Sequence, residues 1–400
     1  MDSLPPVLRR HVPLAVAAVF FGLYGWALVL ATGSGHDGAI GPHFNALGSD
    51  WVIFLAAARA VFSGDLAHIY NQAWITEATN SQFATWLSAP LPFPLFPYPP
   101  VFLLLVLPFA KLSAGVSLLL SQVLQFAALA WALRKLAPDR SSLFFLLGAL
   151  LAPAAANNVL AGSNAVLVAA LIVGGVALLK TKPLFAGALL GVVIFKPQYF
   201  VLLPLALLAG RQGKALAGMI ASVAGLTLLS AALFGPSLWL DWFNVYLHPQ
   251  AVSGVNGTDW GHSWDESVST CLSLLGAPKF LAMAGQGAAV LIAAAAVWRA
   301  FRTTHPHRLA VLLCAALLAS PHVSNYDLIL LAIAALLAVR EMPGSSRPLD
   351  LIVPLAAWLA PLYNPPRALP LGLVTPLVIL ALLAGFLGLF GGQKPLPDKG

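Results

Sequence analysis

Residues 141–179 read SSLFFLLGALLAPAAANNVLAGSNAVLVAALIVGGVALL, with no charged side chain between Arg140 and Lys180. A bilayer core of ~30 Å takes about 20 apolar residues per helix. In that core every backbone N–H and C=O must find a partner within the protein, which favours helices. The rest of the chain repeats the pattern. Of 400 residues 60% are hydrophobic and 9% charged, whereas about a quarter are charged in soluble domains. The expectation is an all-α, polytopic transmembrane protein with roughly 9–12 membrane segments and short periplasmic surface helices. Residues 1–400 form a single integral membrane domain, with little material left for a separate soluble one.

The net charge of +7 raises the question of a nucleic-acid partner, and the placement of the charges argues against it. Lys and Arg cluster between apolar runs, at Arg9-Arg10, Arg134-Lys135, Lys180 with Lys182, Arg211 with Lys214, Arg299 with Arg302, and Arg340 with Arg347. Such clusters mark cytoplasmic loops and attract anionic membrane lipid. Cys271 and Cys314 have no metal-ligand spacing and read as small buried hydrophobes. Arg9-Arg10 followed by an apolar run resembles a signal peptide, but many apolar segments follow, so an uncleaved first span is expected.

With its N-terminus inside, the first span ends near Thr32, and residues 33–97 form a first external loop. Within it Trp51–Phe62 and Gln72–Leu87 are expected to lie along the membrane surface. Residues 235–273 form a second external loop, and the C-terminus returns inside. Pro99–Pro108 is too short to cross and is expected to enter and leave on the outer side. The pair Leu184–Phe195 and Tyr199–Leu208 is hinged at Lys196-Pro197, and broken helices of this kind often mark a site. The outer side collects most of the acids and histidines, so function is expected there, facing the periplasm of a bacterial-type plasma membrane.

Several side chains can carry chemistry. Asp50, in Gly48-Ser49-Asp50-Trp51, suits two roles equally: a cap for the helix that follows, or a carboxylate that takes a proton from an attacking hydroxyl. Lys196 lies inside an apolar stretch, where a charge costs at least ~2.5 kcal/mol unless compensated. A lipid phosphate would compensate it, with Gln198 and Tyr199 as further donors; a snorkelling Lys or a carboxylate partner is the alternative. His322, at the outer end of a span beside Ser324, Asn325 and Asp327, either donates to a phosphate or sugar hydroxyl or caps a helix end. Tyr98, before Pro99-Pro100, lines a cavity or anchors at the interface. In the second loop Trp264 and Asp265 stand among other Trp, His and acidic residues, a mixture that suits sugar rings and the membrane interface alike. His262 with Asp265 and Glu266 has donor atoms for a divalent cation but no recognised ligand spacing, and no cofactor is expected. Asn256-Gly257-Thr258 fits an N-glycosylation pattern, which alone means little.

The order of these features resembles glycosyltransferase family 87, in the GT-C class of polyprenyl-phosphate-sugar-dependent transferases. The resemblance runs from about Gly48 to Leu330. It rests on Asp50, Gly64-Asp65 before Tyr70, Tyr98-Pro99-Pro100, Asn157–Asn164 before a span, Phe195-Lys196-Pro197-Gln198, and Ser320-Pro321-His322 with Tyr326. It implies a polyprenyl-phosphate sugar donor, mannose as a frequent sugar, a lipid or glycan acceptor, and a catalytic Asp, which falls on Asp50. His322 is then expected beside it, with Lys196, Gln198 and Tyr199 on the donor phosphate and Tyr98, Asn164, Trp264 and Asp265 around the substrate. The Asn157–Asn164 stretch departs from the usual Gly-Gln-x-Asn arrangement: with Asn164 aligned, Gly162 stands where Gln would. No nucleotide-phosphate loop or zinc motif occurs. Two rival classes remain, a flippase of lipid-linked sugars lacking a catalytic base and a non-catalytic assembly subunit.

Overall fold

The computed structural model describes residues 4–33, 47–87, 89–91, 94–139, 141–247, 265–362 and 374–388. Among them the chain is helical without strands. The order is α1 (Pro6–Arg10), α2 (Val12–Gly33), α3 (Ser49–Ser63), α4 (Gln72–Gln82), α5 (Val101–Val106), α6 (Ala114–Leu136) and α7 (Ser141–Leu151). Next come α8 (Pro153–Ala161), α9 (Ala165–Leu178), α10 (Pro183–Val192), α11 (Pro197–Phe200), α12 (Leu202–Ala209), α13 (Gly213–Phe234) and α14 (Ser237–Leu247). The C-terminal part holds α15 (Val268–Leu274), α16 (Lys279–Arg302), α17 (Arg308–Ala319), α18 (Ile329–Glu341), α19 (Ile352–Leu359) and α20 (Val374–Phe386).

Four of these helices are long and apolar enough to cross a membrane: α2 over Val12–Val29, α6, α13 and α16. The pair α7 and α8 has the length and apolarity of a broken span or a re-entrant loop, bent by 58° at Ala152-Pro153, where the proline breaks the ladder of backbone bonds. The long helices leave bulky apolar side chains uncovered on one face, among them Phe20, Leu119, Leu228 and Leu291. In water such faces would be a liability; in lipid they are the solvent-facing side. By contrast α9, α17 and α18 are apolar on all sides and buried on all sides, as interior helices must be. The fold is therefore an outer set of long helices around a core of short ones.

The short helices decide where polar chemistry can sit. With 12 and 13 residues, α17 and α18 each span about 18–20 Å, well short of a ~30 Å core. The last turn of α17 is level with Gln286, whose amide donates to the carbonyls of Leu318, Ala319 and Ser320 at 3.2 Å each. Gln286 lies seven residues into α16, so the elbow between α17 and α18 is recessed by about 10 Å from the end of that helix. One side chain thus satisfies carbonyls that a buried helix end would otherwise orphan.

Two sequence expectations concern α5 and α3. The segment containing α5 is short and followed by a 3-10 turn at Leu107–Phe109. The expectation that Trp51–Phe62 lies along a surface is not met. In α3 Trp51 through Ala58 and Ala60 are buried, and the helix packs on α4, α5, α6 and α8. Ala56, Ala57, Ala58 and Ala60 let neighbours approach on several sides, so an apparent amphipathic helix is enclosed. Arg59 is held by the carbonyls of Ala110 and Leu112 at 2.9 and 3.0 Å, beneath the ring of Phe83.

The contact of α10 with α13 depends on small residues. A Cβ on Gly187 would lie 1.7 Å from the Ala215 carbonyl oxygen, and one on Gly218 would lie 2.1 Å from that of Leu184. Gly187 and Gly191 are four apart, the spacing that lets two helices in a membrane touch backbone to backbone. Gly187→Val should therefore cost about 3 kcal/mol or more by overpacking, read as a lower midpoint of thermal unfolding in detergent. Gly213→Ala, at a position with nothing within 4 Å, should leave that midpoint unchanged.

Candidate active site

The break between α10 and α11 presents Lys196. A 3-10 turn at Val193–Phe195 ends α10, and Pro197, which has no N–H, opens α11. The Lys196 ammonium sits 2.7 Å from Asp327 Oδ1, with 4% and 2% of the two side chains exposed. It also lies over the rings of Tyr326 and Tyr199, at 5.1 and 5.6 Å, where the ring faces attract a cation. The carboxylate named as an alternative partner is thus present: Asp327, in the α17–α18 elbow, compensates the buried charge. Tyr199 is fully buried, its hydroxyl without a hydrogen-bond partner among the described residues, and Gln198 is half-buried beside it.

The elbow carries a second pair. His322 Nδ1 lies 3.2 Å from Asp265 Oδ2, with the imidazole 58% exposed and the carboxylate buried. Asp265 also accepts from the backbone N–H of Val323 and of Ser267, both at 2.9 Å, and from the Thr270 hydroxyl at 3.0 Å. A lone antiparallel bridge pairs Asp265 with Ser324, and Glu266 N–H donates to the Val323 carbonyl at 2.8 Å. Burial works to raise the Asp265 pKa, but His322 and the two amides outweigh it, and the carboxyl is held below its usual range. Packing likewise opposes a charge on His322, yet Asp265 prevails and raises it. Asp265, expected to face substrate, instead spends both oxygens on protein groups. It joins residues 265–270 to the elbow.

Asp50 enters from α3. The helix starts at Ser49 after Gly48 (φ 73°), with no side-chain cap, so Asp50 is its second residue and not its cap. Its carboxylate feels the charges of Lys196 and Asp327 and the hydroxyls of Tyr326 and Ser163. Burial is the largest effect on it, and the opposing pull of Lys196 is smaller, so its pKa is pushed up to about 6. Of Asp50, Lys196 and His322, expected to share one site, Lys196 acts electrostatically on the other two, as does Asp327.

The turn between α8 and α9 forms the adjoining wall. Gly162 adopts φ 68°, and a Cβ there would lie 2.6 Å from Trp51 Cβ. Gly48 N–H bonds the Leu160 carbonyl at 2.6 Å, so this turn and the start of α3 sit back to back, with Asp50 beside Ser163. A glutamine at position 162 would need the space that Trp51 fills, which accounts for the glycine. Amide groups arrive from α6 instead. Gln122 and Gln125 donate to the Ser163 carbonyl, at 3.3 and 3.0 Å, and Gln122 accepts from Asn158 at 2.8 Å. Asn158 and Gln125 in turn accept from the first amides of α9, at Ala165, Val166 and Leu167. Asn164 is 4% exposed, and its amide is left without a partner at full hydrogen-bond geometry among the described residues. It stands next to the Tyr98 hydroxyl, which also feels Ser163 and Asp50. Tyr98 is 7% exposed and stacks on Phe102 at 4.2 Å. Buried in this way it lines the site rather than anchoring at an interface.

Trp264 lies outside the described residues, as do His262 and Asn256-Gly257-Thr258. Sequence reasoning missed the partner of Lys196 and the two glutamines of α6. The glutamines had a signal: Ser117, Ser121 and Gln125 recur every four residues along an apolar span, with Gln122 adjoining, a polar stripe on one helix face.

Because the Lys196–Asp327 pair is buried, removing one partner strands the other. Lys196→Met should destabilise the protein by about 3–5 kcal/mol, measured by thermal unfolding in detergent. The double variant Lys196→Met with Asp327→Leu should recover much of that loss.

The sequence model of glycosyltransferase family 87 matches residues 96–321, more than half of the chain. The match includes Tyr98, Asn164, Lys196 and Asp265, ends next to His322, and begins after Asp50. Neither a curated protein nor a solved structure matches. With its membrane-crossing helices and a family match over most of the span that holds the site, the chain belongs to glycosyltransferase family 87.

Proposed function

We propose that this glycosyltransferase moves a hexose, mannose favoured, from a polyprenyl-phosphate carrier to a lipid or glycan hydroxyl on the outer face of the membrane. The observation that carries the proposal is the half-buried Asp50 carboxylate, raised to about 6 and facing Lys196. A general base is most useful when its pKa lies near the working pH. The acceptor hydroxyl gives its proton to Asp50 while its oxygen attacks the anomeric carbon. The bond to the phosphate oxygen breaks on the opposite face, inverting the centre. Lys196, whose ammonium spends one of three N–H groups on Asp327, and His322 are the cations available to the leaving phosphate. Gln198 and Tyr199 adjoin them. Tyr98 and the open amide of Asn164 are placed to meet sugar hydroxyls.

The hexose and its carrier follow from the family resemblance. The outer placement has support in the fold. The far ends of α17 and α18 from the elbow carry Arg308 and Arg340. There His307 pairs with Glu341, Arg340 lies 4.0 Å from Asp139, and Arg10 donates to the Gly344 carbonyl at 3.1 Å. The basic loops and the N-terminal segment thus meet at one end, and a cytoplasmic assignment of that end puts the site on the other side.

In protein reconstituted with synthetic polyprenyl-phosphate mannose, Asp50→Asn should lower transfer by about 100-fold or more while carrier binding persists. Undiminished transfer would remove Asp50 as base, and carrier translocation without product would instead favour a flippase. A base must be unprotonated to act, so the wild-type rate should fall as pH drops through about 6.

A further inference from the structure

With 22 residues α13 is about 33 Å long, enough to use the full ~30 Å of a bilayer core. Gly235, at φ 88°, ends it, and Pro236 leads directly into α14. With 11 residues α14 is about 16 Å long, half of what a second crossing needs. It starts where α13 has just left the apolar core.

The sequence SLWLDWFNVYL gives α14 three sides at the 3.6-residue repeat of a helix. Leu238, Trp242 and Val245 form the side that packs on the protein core. Ser237, Asp241 and Asn244 form a polar side. Leu240, Phe243 and Leu247 form the third, and they are 67, 50 and 55% exposed. A surface helix in water needs one apolar side, turned to its core. A second one, separated from the first by polar residues, calls for a different apolar neighbour.

Two observations identify that neighbour. The stripe continues the bare face of α13, where Leu229 and Leu233 are exposed on a helix long and apolar enough to cross a membrane. The indole N–H groups of α14 are also committed to protein. Trp239 Nε1 donates to Ser230 Oγ at 3.2 Å and Trp242 Nε1 to the Pro97 carbonyl at 3.0 Å, with the two rings edge to face at 5.8 Å. Such anchored indoles, apolar in body and polar at one atom, suit the membrane boundary. The Trp242 bond fastens α14 to the segment that carries Tyr98 into the site.

We propose that α14 lies along the membrane surface on the side of the site, with Leu240, Phe243 and Leu247 among the acyl chains of that leaflet. It thereby seats the Tyr98 wall of the site at the boundary of headgroups and chains. Because α14 has no Lys or Arg, its attachment rests on apolar area and not on attraction to anionic lipid. The inference is independent of the sugar and carrier that the site uses.

The test places a bimane fluorophore on the full-length variants Leu240→Cys, Phe243→Cys and Ser237→Cys. Cys271 and Cys314 are buried, and labelling of the parent protein gives their background. In phosphatidylcholine vesicles, a nitroxide near the top of the acyl chain should quench the two stripe positions about 3-fold more than the Ser237 position. Aqueous iodide should give the opposite order. Equal quenching by the nitroxide at all three positions, or stronger quenching of the stripe by iodide, would overturn the proposal. So would a stripe that neither agent reaches, since protein would then cover it: a second copy if dilution into excess lipid restores nitroxide quenching, this chain's own residues if it does not. Replacing half of the lipid by phosphatidylglycerol should leave the ratio unchanged, and a rise would overturn attachment by apolar area. All three positions are exposed, so the variants should unfold at the parent's thermal midpoint in detergent.

Discussion

The buried contact between Lys196 and Asp327 is the constraint on which the rest of the site depends. It joins the break in the α10–α11 segment to the elbow of α17 and α18, two places 131 residues apart in sequence. Neither charge is tolerable alone at 2–4% exposure. Together they hold two interrupted helices in register, and the rings of Tyr199 and Tyr326 flank the ammonium. A buried pair is weak evidence for net stability, since apolar replacements often do as well. Its effect here is on placement. It fixes where the Asp50 carboxylate finds a cation and where the His322 ring stands.

Interrupted helices create a second problem, because each internal end exposes backbone groups that lipid cannot satisfy. The chain solves this with side-chain amides. Gln286 serves the end of α17, and Asn158 with Gln125 serves the start of α9. These amides lie on or beside long helices of the outer set, so the rigid frame positions the short interior helices and, through them, the reactive groups. The glycine pair Gly48 and Gly162 performs the same task by close contact, setting Asp50 next to the turn at Ser163.

Much of this was legible in the sequence because membranes make certain residues expensive. A lysine before proline inside an apolar run, and a cluster of polar residues between two apolar runs, both announce interior breaks, and both are breaks between helices in the fold. What local pattern could not supply was pairing. Asp327 stood in the polar elbow in plain view, but nothing near it in sequence tied it to Lys196. Asp265 looked like a sugar-binding acid because exposed acids beside Trp commonly are; only the fold shows its oxygens taken by His322, Thr270 and two amides. The enclosure of α3 was hidden for a similar reason. Alanines register as weakly apolar and give a helix an ordinary surface profile, while sterically they invite neighbours on every side.

The partnering of Lys196 also bears on how the proposed reaction would turn over. A solitary ammonium in an apolar setting would grip the donor phosphodiester and the product monoester alike, and uniform binding of that sort adds nothing to the rate of the chemical step. With Asp327 in contact, the net charge near the phosphate is small until the leaving oxygen gains its electrons. In the proposed reaction a paired lysine is therefore better suited to releasing a lipid phosphate than a solitary fixed positive charge would be.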